Sequence, residues 1–146
     1  MINKTFWIGF IVVYIVWQVI GFVVHGIMLN DTYVSLWQVF RAEAEMNSMM
    51  WMMFLSSALY LLLFCYIFTK GYEGKGVGEG LRYGLLMGLF MSIPMSMDQY
   101  VVYPITSNLA VIWFVSGVIS FMIAGAIFAA IYKPNPGAAH SLAAAT

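Results

Sequence analysis

Four apolar stretches of roughly 20 residues or more run through this chain, each long enough as a helix to cross about 30 Å of hydrocarbon. They fall near residues 5–29, 47–69, 81–103 and 107–132. In lipid every backbone N–H and C=O needs an internal partner, so only helices or a closed barrel can span. A barrel needs short stretches of alternating polarity, and this sequence has none. The expectation is therefore an all-α, four-transmembrane-helix bundle, with residues 1–133 as one membrane domain. Composition agrees, because only 8% of the residues are charged, against about a quarter in soluble domains. Zero formal net charge leaves no electrostatic footprint for nucleic acid. Cys65, the one cysteine, cannot form an internal disulfide. "MINKTFWIGF" leads into the first stretch with no small-residue cleavage signature, so it reads as a retained helix rather than a signal peptide.

Lysine and arginine set the expected orientation. Lys4, Lys70, Lys75, Arg82 and Lys133 flank the spans on one side, and only Arg41 lies on the other. That bias predicts cytoplasmic termini and an outward-facing first loop. Trp7, Tyr66, Tyr83 and Tyr132 fit the inner boundary, and Trp37, Trp51, Tyr103 and Trp113 the outer one.

In the first loop, "DTYVSLWQVFRAEAEM", Tyr33, Trp37, Phe40 and Ala44 recur at helical spacing while Arg41, Glu43 and Glu45 point elsewhere. This predicts a short amphipathic helix, either lying on the outer surface or packed as a lid on the bundle. The second loop, "KGYEGKGVGEG", lacks the strand and the Lys-Ser/Thr pair of a phosphate cradle and reads as a flexible hinge between helical hairpins. The Pro-, Gly- and Ala-rich stretch 134–146, which includes His140, reads as a flexible cytoplasmic tail. "FCYIFTKG" and "FAAIYKPNPG" close two similarly oriented hairpins and hint at an internal repeat.

Polar residues inside the spans need reasons. Tyr14, Gln18, Gly21 and His25 form one stripe on the first span, facing the bundle interior as hydrogen-bonding groups or as a ligand site. On the third span Gly84, Met87, Met91, Pro94 and Asp98 share a face, with Met95 beside it. Pro94 removes a donor and frees a carbonyl near Phe90. Gly84 and Gly88, with Ser116, Gly117, Ser120 and Ala124 on the fourth span, mark close helix approach. Helical rise places Asp98 about 25 Å and His25 about 30 Å from the inner end, so both reach the outer interface.

Two readings of that outer level stand beside each other. In one, His25, Asp98 and nearby tyrosines form a structural polar cap, with His25 and Asp98 in hydrogen-bond contact, directly or through one water. In the other, His25, Asp98, Glu43 and Glu45 with Met91 and Met95 bind a metal ion. Nitrogen and oxygen ligands would suit zinc, and thioethers copper. Methionine is abundant in "MNSMMWMM" and along the third span, where it also serves as a packing residue. The spacing of Met87, Met91 and Met95 resembles the thioether ladder of high-affinity copper transporters, though those proteins have three spans. A single intramembrane histidine does not supply bis-histidine haem ligation. No cofactor is expected on present motifs. No Ser or Cys stands in a nucleophile motif, and no His-xxx-His or Glu-xx-His pair occurs on a span, so an enzyme is the least favoured class.

"VVHGIML", "KGYEGKG" followed by "EGLRYGLLMGLFMSIP", and "VVYPI" followed by "LAVIWFVSG" resemble a group of small bacterial four-helix membrane proteins of unknown function. The resemblance spans most of residues 7–133 and implies a compact protein of the bacterial inner membrane, with no implied activity. The functional expectation is a non-enzymatic accessory or assembly subunit of a larger membrane complex, with lipid and other membrane subunits, or copies of itself, as partners. The alternative is a small transporter or binding protein for a metal or solute at the His25–Asp98–methionine level.

Overall fold

The computed structural model describes residues 2–134 and, among them, contains helices and their connections but no strand. The expected tail, with His140, falls outside the described residues beyond Pro134. Helix α1 (Lys4–Gly21) opens at Asn3, whose side chain accepts the Phe6 N–H at 2.9 Å, satisfying a donor the helix itself cannot. α1 passes into a π-helical turn (Phe22–Met28). Two short helices follow, α2 (Asn30–Ser35) and α3 (Glu43–Ser48), then α4 (Met50–Lys70), α5 (Val77–Val102) and α6 (Ser107–Ile131). Four helical stretches are long and apolar enough to cross a membrane: Lys4–Met28, Met50–Lys70, Val77–Val102 and Ser107–Ile131.

The spans match the sequence reading except at two starts: α4 begins at Met50 rather than 47, and α5 at Val77 rather than 81. For α5 the reason lies in what its first glycines touch. Gly80, Gly84 and Gly88, then Ser92 and Ser96, form a buried ridge with a four-residue repeat. This ridge lies on Gly117, Val118, Phe121 and Gly125 of α6. A Cβ at Gly84 would sit 2.3 Å from the Phe121 carbonyl oxygen. Gly80 is therefore packed helix, not hinge, and Gly78 lies in the first turn of the same helix. Close approach, rather than side-chain bonding, joins α5 to α6. The Ser96 and Ser120 hydroxyls donate to carbonyls of their own helices, Ser92 at 2.6 Å and Ser116 at 2.7 Å. Small residues lower the distance of approach and so raise dispersion contact where lipid gives no hydrophobic drive.

α1, α4 and α6 enclose an aromatic core of Phe6, Phe64, Phe68, Phe121 and Phe128 with Val13, Leu61 and Cys65. Phe128 takes Phe6 and Phe68 edge-on, at centroid distances of 5.7 and 5.6 Å. At one end, the N- and C-terminal parts of the bundle are tied. The Asn3 amide donates to the Lys133 carbonyl at 2.7 Å, and the Thr5 hydroxyl accepts the Lys133 N–H at 3.1 Å. Tyr72 of the glycine loop stacks edge-on against Tyr132 beside them.

The glycine loop is pinned rather than left free. The buried Glu79 carboxylate, in the first turn of α5, accepts the Glu73 N–H at 2.7 Å and the Lys75 N–H at 2.8 Å. Gly76, at φ 68°, makes the reversal into α5, a backbone region that L side chains rarely adopt. Glu73 pairs with Lys75. That hydrogen bond, then the lysine charge itself, holds the Glu73 carboxyl below its ordinary range.

Pro94 sits within α5 without ending it. Its ring faces outward, as do Met95, 68% exposed, and Asp98, whereas Met87 and Met91 turn toward the aromatic core. The expected common face of Met91, Pro94 and Asp98 is thus divided, because burial of the Gly80–Ser96 ridge fixes the rotation of α5.

Candidate functional site

At the bundle end opposite Lys4 and Lys133, the first loop packs as a lid. Leu29, Ile105 and Leu109 form a second small core, covered by Tyr33, Leu36, Val39 and Phe40. Of the two alternatives for this loop, the lid is what forms. It is built from two short helices, because the chain turns after Ser35 and α3 starts only at Glu43. Trp37 lies off the seam and is 71% exposed.

The polar node of this end is the Tyr33 hydroxyl. The Trp113 indole N–H of α6 donates to it at 2.9 Å, and His25 Nδ1 lies 2.6 Å away. Phe40 packs edge-on against the Tyr33 ring at 5.3 Å and near Trp113 at 6.4 Å. His25 reaches this position from the π-helical turn, where the Leu29 N–H bonds to the Val24 carbonyl five residues back. The wider turn breaks the α-helical register. His25 therefore does not continue the α4-facing stripe that its spacing from Tyr14 and Gln18 implies. Burial raises the Tyr33 phenol above its ordinary value, with the Trp113 hydrogen bond opposing it.

Tyr14 and Gln18 do face the bundle interior. The Gln18 amide donates to Ser57 Oγ at 2.7 Å, Ser57 donates to the Phe54 carbonyl at 2.9 Å, and the Tyr14 hydroxyl reaches that same carbonyl at 3.3 Å. This closed set links α1 to α4. Such interhelical bonds are worth about 0.6–2 kcal/mol each in a bilayer.

The other expected site residues do not converge. His25 bonds to Tyr33 rather than to Asp98, and Asp98 is exposed with no hydrogen bond or ion pair among the described residues. Glu45 is engaged by Arg41 one helical turn away, and Glu43 is exposed. No three His, Cys, Asp or Glu side chains gather where they would hold a metal ion, among the described residues. Met91 packs inward and Met95 outward. The direct His25–Asp98 bond is thus corrected. The π-helical turn gives His25 a nearer partner on the lid, and the α5 rotation leaves Asp98 on the outside.

Two functional-looking groups escaped the sequence reading. Tyr33 and Trp113 stood out only as amphipathic-face and boundary aromatics, and their bond joins residues 80 apart in sequence. Glu79 had a legible signal: an acid in the first turn of a helix after a glycine loop is placed to meet free amides.

One further feature is a gap. α4 and α5 touch near the lysine-rich end, where the Tyr83 hydroxyl donates to the Phe64 carbonyl at 2.6 Å. Beside that contact lies an apolar cleft of about 250 Å³, walled by α4 and α5 with Phe121 of α6. Comparison of the chain with protein-family models, with curated proteins and with solved structures yields no match.

Proposed function

We propose that this chain is a non-enzymatic accessory or assembly subunit of a larger membrane complex in a bacterial inner membrane, with its lysine-rich end cytoplasmic. The observation that carries the reading is a contrast between polar and apolar groups. The intramembrane polar groups Tyr14, Gln18, Ser57 and Tyr83 are consumed within the bundle. Meanwhile a largely apolar surface on α4 and α5 stays uncovered, including Trp51, Met52, Leu59, Leu63 and Phe90, with Ser56 and Tyr60 as its polar members. A polar solute path would need unsatisfied groups lining a cavity. An assembly subunit needs an apolar surface on which another helix can pack closely. Charge distribution supports the orientation. Five cations and two carboxylates lie at one end, and one cation with four carboxylates lies at the other.

The test is photo-crosslinking in the native membrane. A crosslinker at Leu63 or Phe90, which flank the α4–α5 cleft, should trap one discrete partner. The same probe at Ile11 or Ile15, on the exposed side of α1, should trap lipid alone. Equal, lipid-only labelling from both faces would overturn the reading.

A further inference from the structure

The lid, residues 30–48, makes side-chain hydrogen bonds to the rest of the described chain through one atom only, the Tyr33 hydroxyl oxygen. Its remaining side-chain bonds are internal: Asn30 to Asp31, Ser35 to Thr32, Arg41 to Glu45 and Ser48 to Glu45. Donor and acceptor identities at that atom are constrained. The Trp113 indole can only donate, so the Tyr33 oxygen must receive it. The phenol has a single hydrogen, and His25 Nδ1 at 2.6 Å is the acceptor it meets. The tautomer that gives the phenol hydrogen an acceptor is a neutral His25 with its proton on Nε2.

We infer that the His25–Tyr33–Trp113 node is a proton-sensitive latch that ties the lid to α1 and α6 when His25 is neutral and slackens when His25 is protonated. Protonation places a hydrogen on Nδ1. His25 and Trp113 then both donate into the Tyr33 oxygen, and the phenol hydrogen is expelled toward a direction with no acceptor in the node. Among the described residues no charged side chain bonds to His25. The π-helical turn carries no second titratable side chain. α2 offers Tyr33 itself and Asp31, whose carboxylate takes the Asn30 amide at 3.4 Å. α6 offers Trp113 and has no charged residue. Asp98, at the end of α5, is exposed and makes no bond to His25. The apolar seam of Leu29, Ile105 and Leu109 persists on protonation, so the lid loosens rather than unfolds.

The experiment uses the full chain in lipid vesicles and hydrogen–deuterium exchange of amides 30–40, corrected for the intrinsic effect of pH. It compares about pH 8 with about pH 5, which bracket the ordinary histidine value of ~6.5. Wild type should exchange roughly three- to tenfold faster at the acid value, the size expected for loss of one neutral hydrogen bond. His25→Gln, whose amide oxygen still accepts from Tyr33, should lose the pH response. Tyr33→Phe should exchange quickly at both values. Nitrogen NMR of His25 provides a reading that needs no variant: Nδ1 should be unprotonated and Nε2 protonated near pH 8. A pH-independent lid in wild type, an unchanged response in His25→Gln, or a protonated Nδ1 in the neutral ring would each overturn the latch.

Discussion

Gly80 and Gly125 meet backbone to backbone. A Cβ at Gly80 would lie 2.1 Å from the Gly125 carbonyl oxygen, and one at Gly125 would lie 2.2 Å from that of Gly80. Neither helix can keep its position if either glycine gains a side chain.

Gly80→Ala and Gly84→Ala should therefore each destabilise the protein by at least the ~1–3 kcal/mol typical of overpacking, because the atoms met are backbone and cannot rotate away. Gly78 has nothing within 4 Å of its virtual Cβ. Gly78→Ala should be neutral, or stabilising by up to about 1 kcal/mol. Thermal denaturation in one mild detergent, followed by circular dichroism, distinguishes the two classes of site.

These glycines show what was legible in the sequence and what was not. Hydrocarbon thickness dictates span length, so the four spans stand out from composition alone. Gly84 and Gly88 announce close approach by their spacing. Gly78 and Gly80 do not, because a glycine that admits a neighbouring backbone and a glycine that bends a loop look the same without the partner. The site was harder. His25 at helical spacing from Gln18 implies a shared face, but that holds only while the pitch stays α-helical, and Phe22–Met28 is π-helical. Asp98 lies near the C-terminal end of α5, and its direction depends on how the small-residue ridge rotates that helix. Tyr33 and Trp113 meet through tertiary packing, which no local period encodes.

The Gln18–Ser57–Phe54 set makes a second prediction. Ser57→Ala strands the Gln18 amide and removes a donor from the Phe54 carbonyl. It should cost about 0.6–2 kcal/mol. The double variant Gln18→Leu with Ser57→Ala should be less destabilised than the sum of the single changes, since neither partner is then left unpaired. A double-mutant cycle on thermal midpoints measures the coupling.

Glu79 anchors the glycine loop with both carboxylate oxygens. In Glu79→Gln one of those acceptors becomes a donor, which leaves the Glu73 or Lys75 N–H without its partner. The helices should stay intact, while trypsin cleavage after Lys75, an exposed residue, should accelerate severalfold relative to wild type. An unchanged cleavage rate would show that the loop is held by other contacts, such as Tyr72 against Tyr132.

Tyr33 links the lid to alkaline pH. Burial lifts its phenol above the ordinary value of ~10, outweighing the Trp113 hydrogen bond. A raised folded-state value means that the folded protein holds this proton more tightly than the unfolded chain does. Its contribution is therefore complete below about pH 10 and is lost as pH rises through the folded value. The ultraviolet difference titration between wild type and Tyr33→Phe should show one late-ionising phenol, with lid exchange increasing as it titrates.

The central claim is that the uncovered α4–α5 surface belongs in an assembly. The most direct measurement is the native mass of the full chain extracted in a mild detergent from the membranes that produce it, with each co-migrating subunit identified and its crosslink mapped. The account predicts a complex larger than the chain alone, whose partner contacts map to the α4–α5 face and weaken in Leu63→Ala with Phe90→Ala. A stable monomer, or a complex joined through the exposed side of α1 and indifferent to that double change, would contradict it.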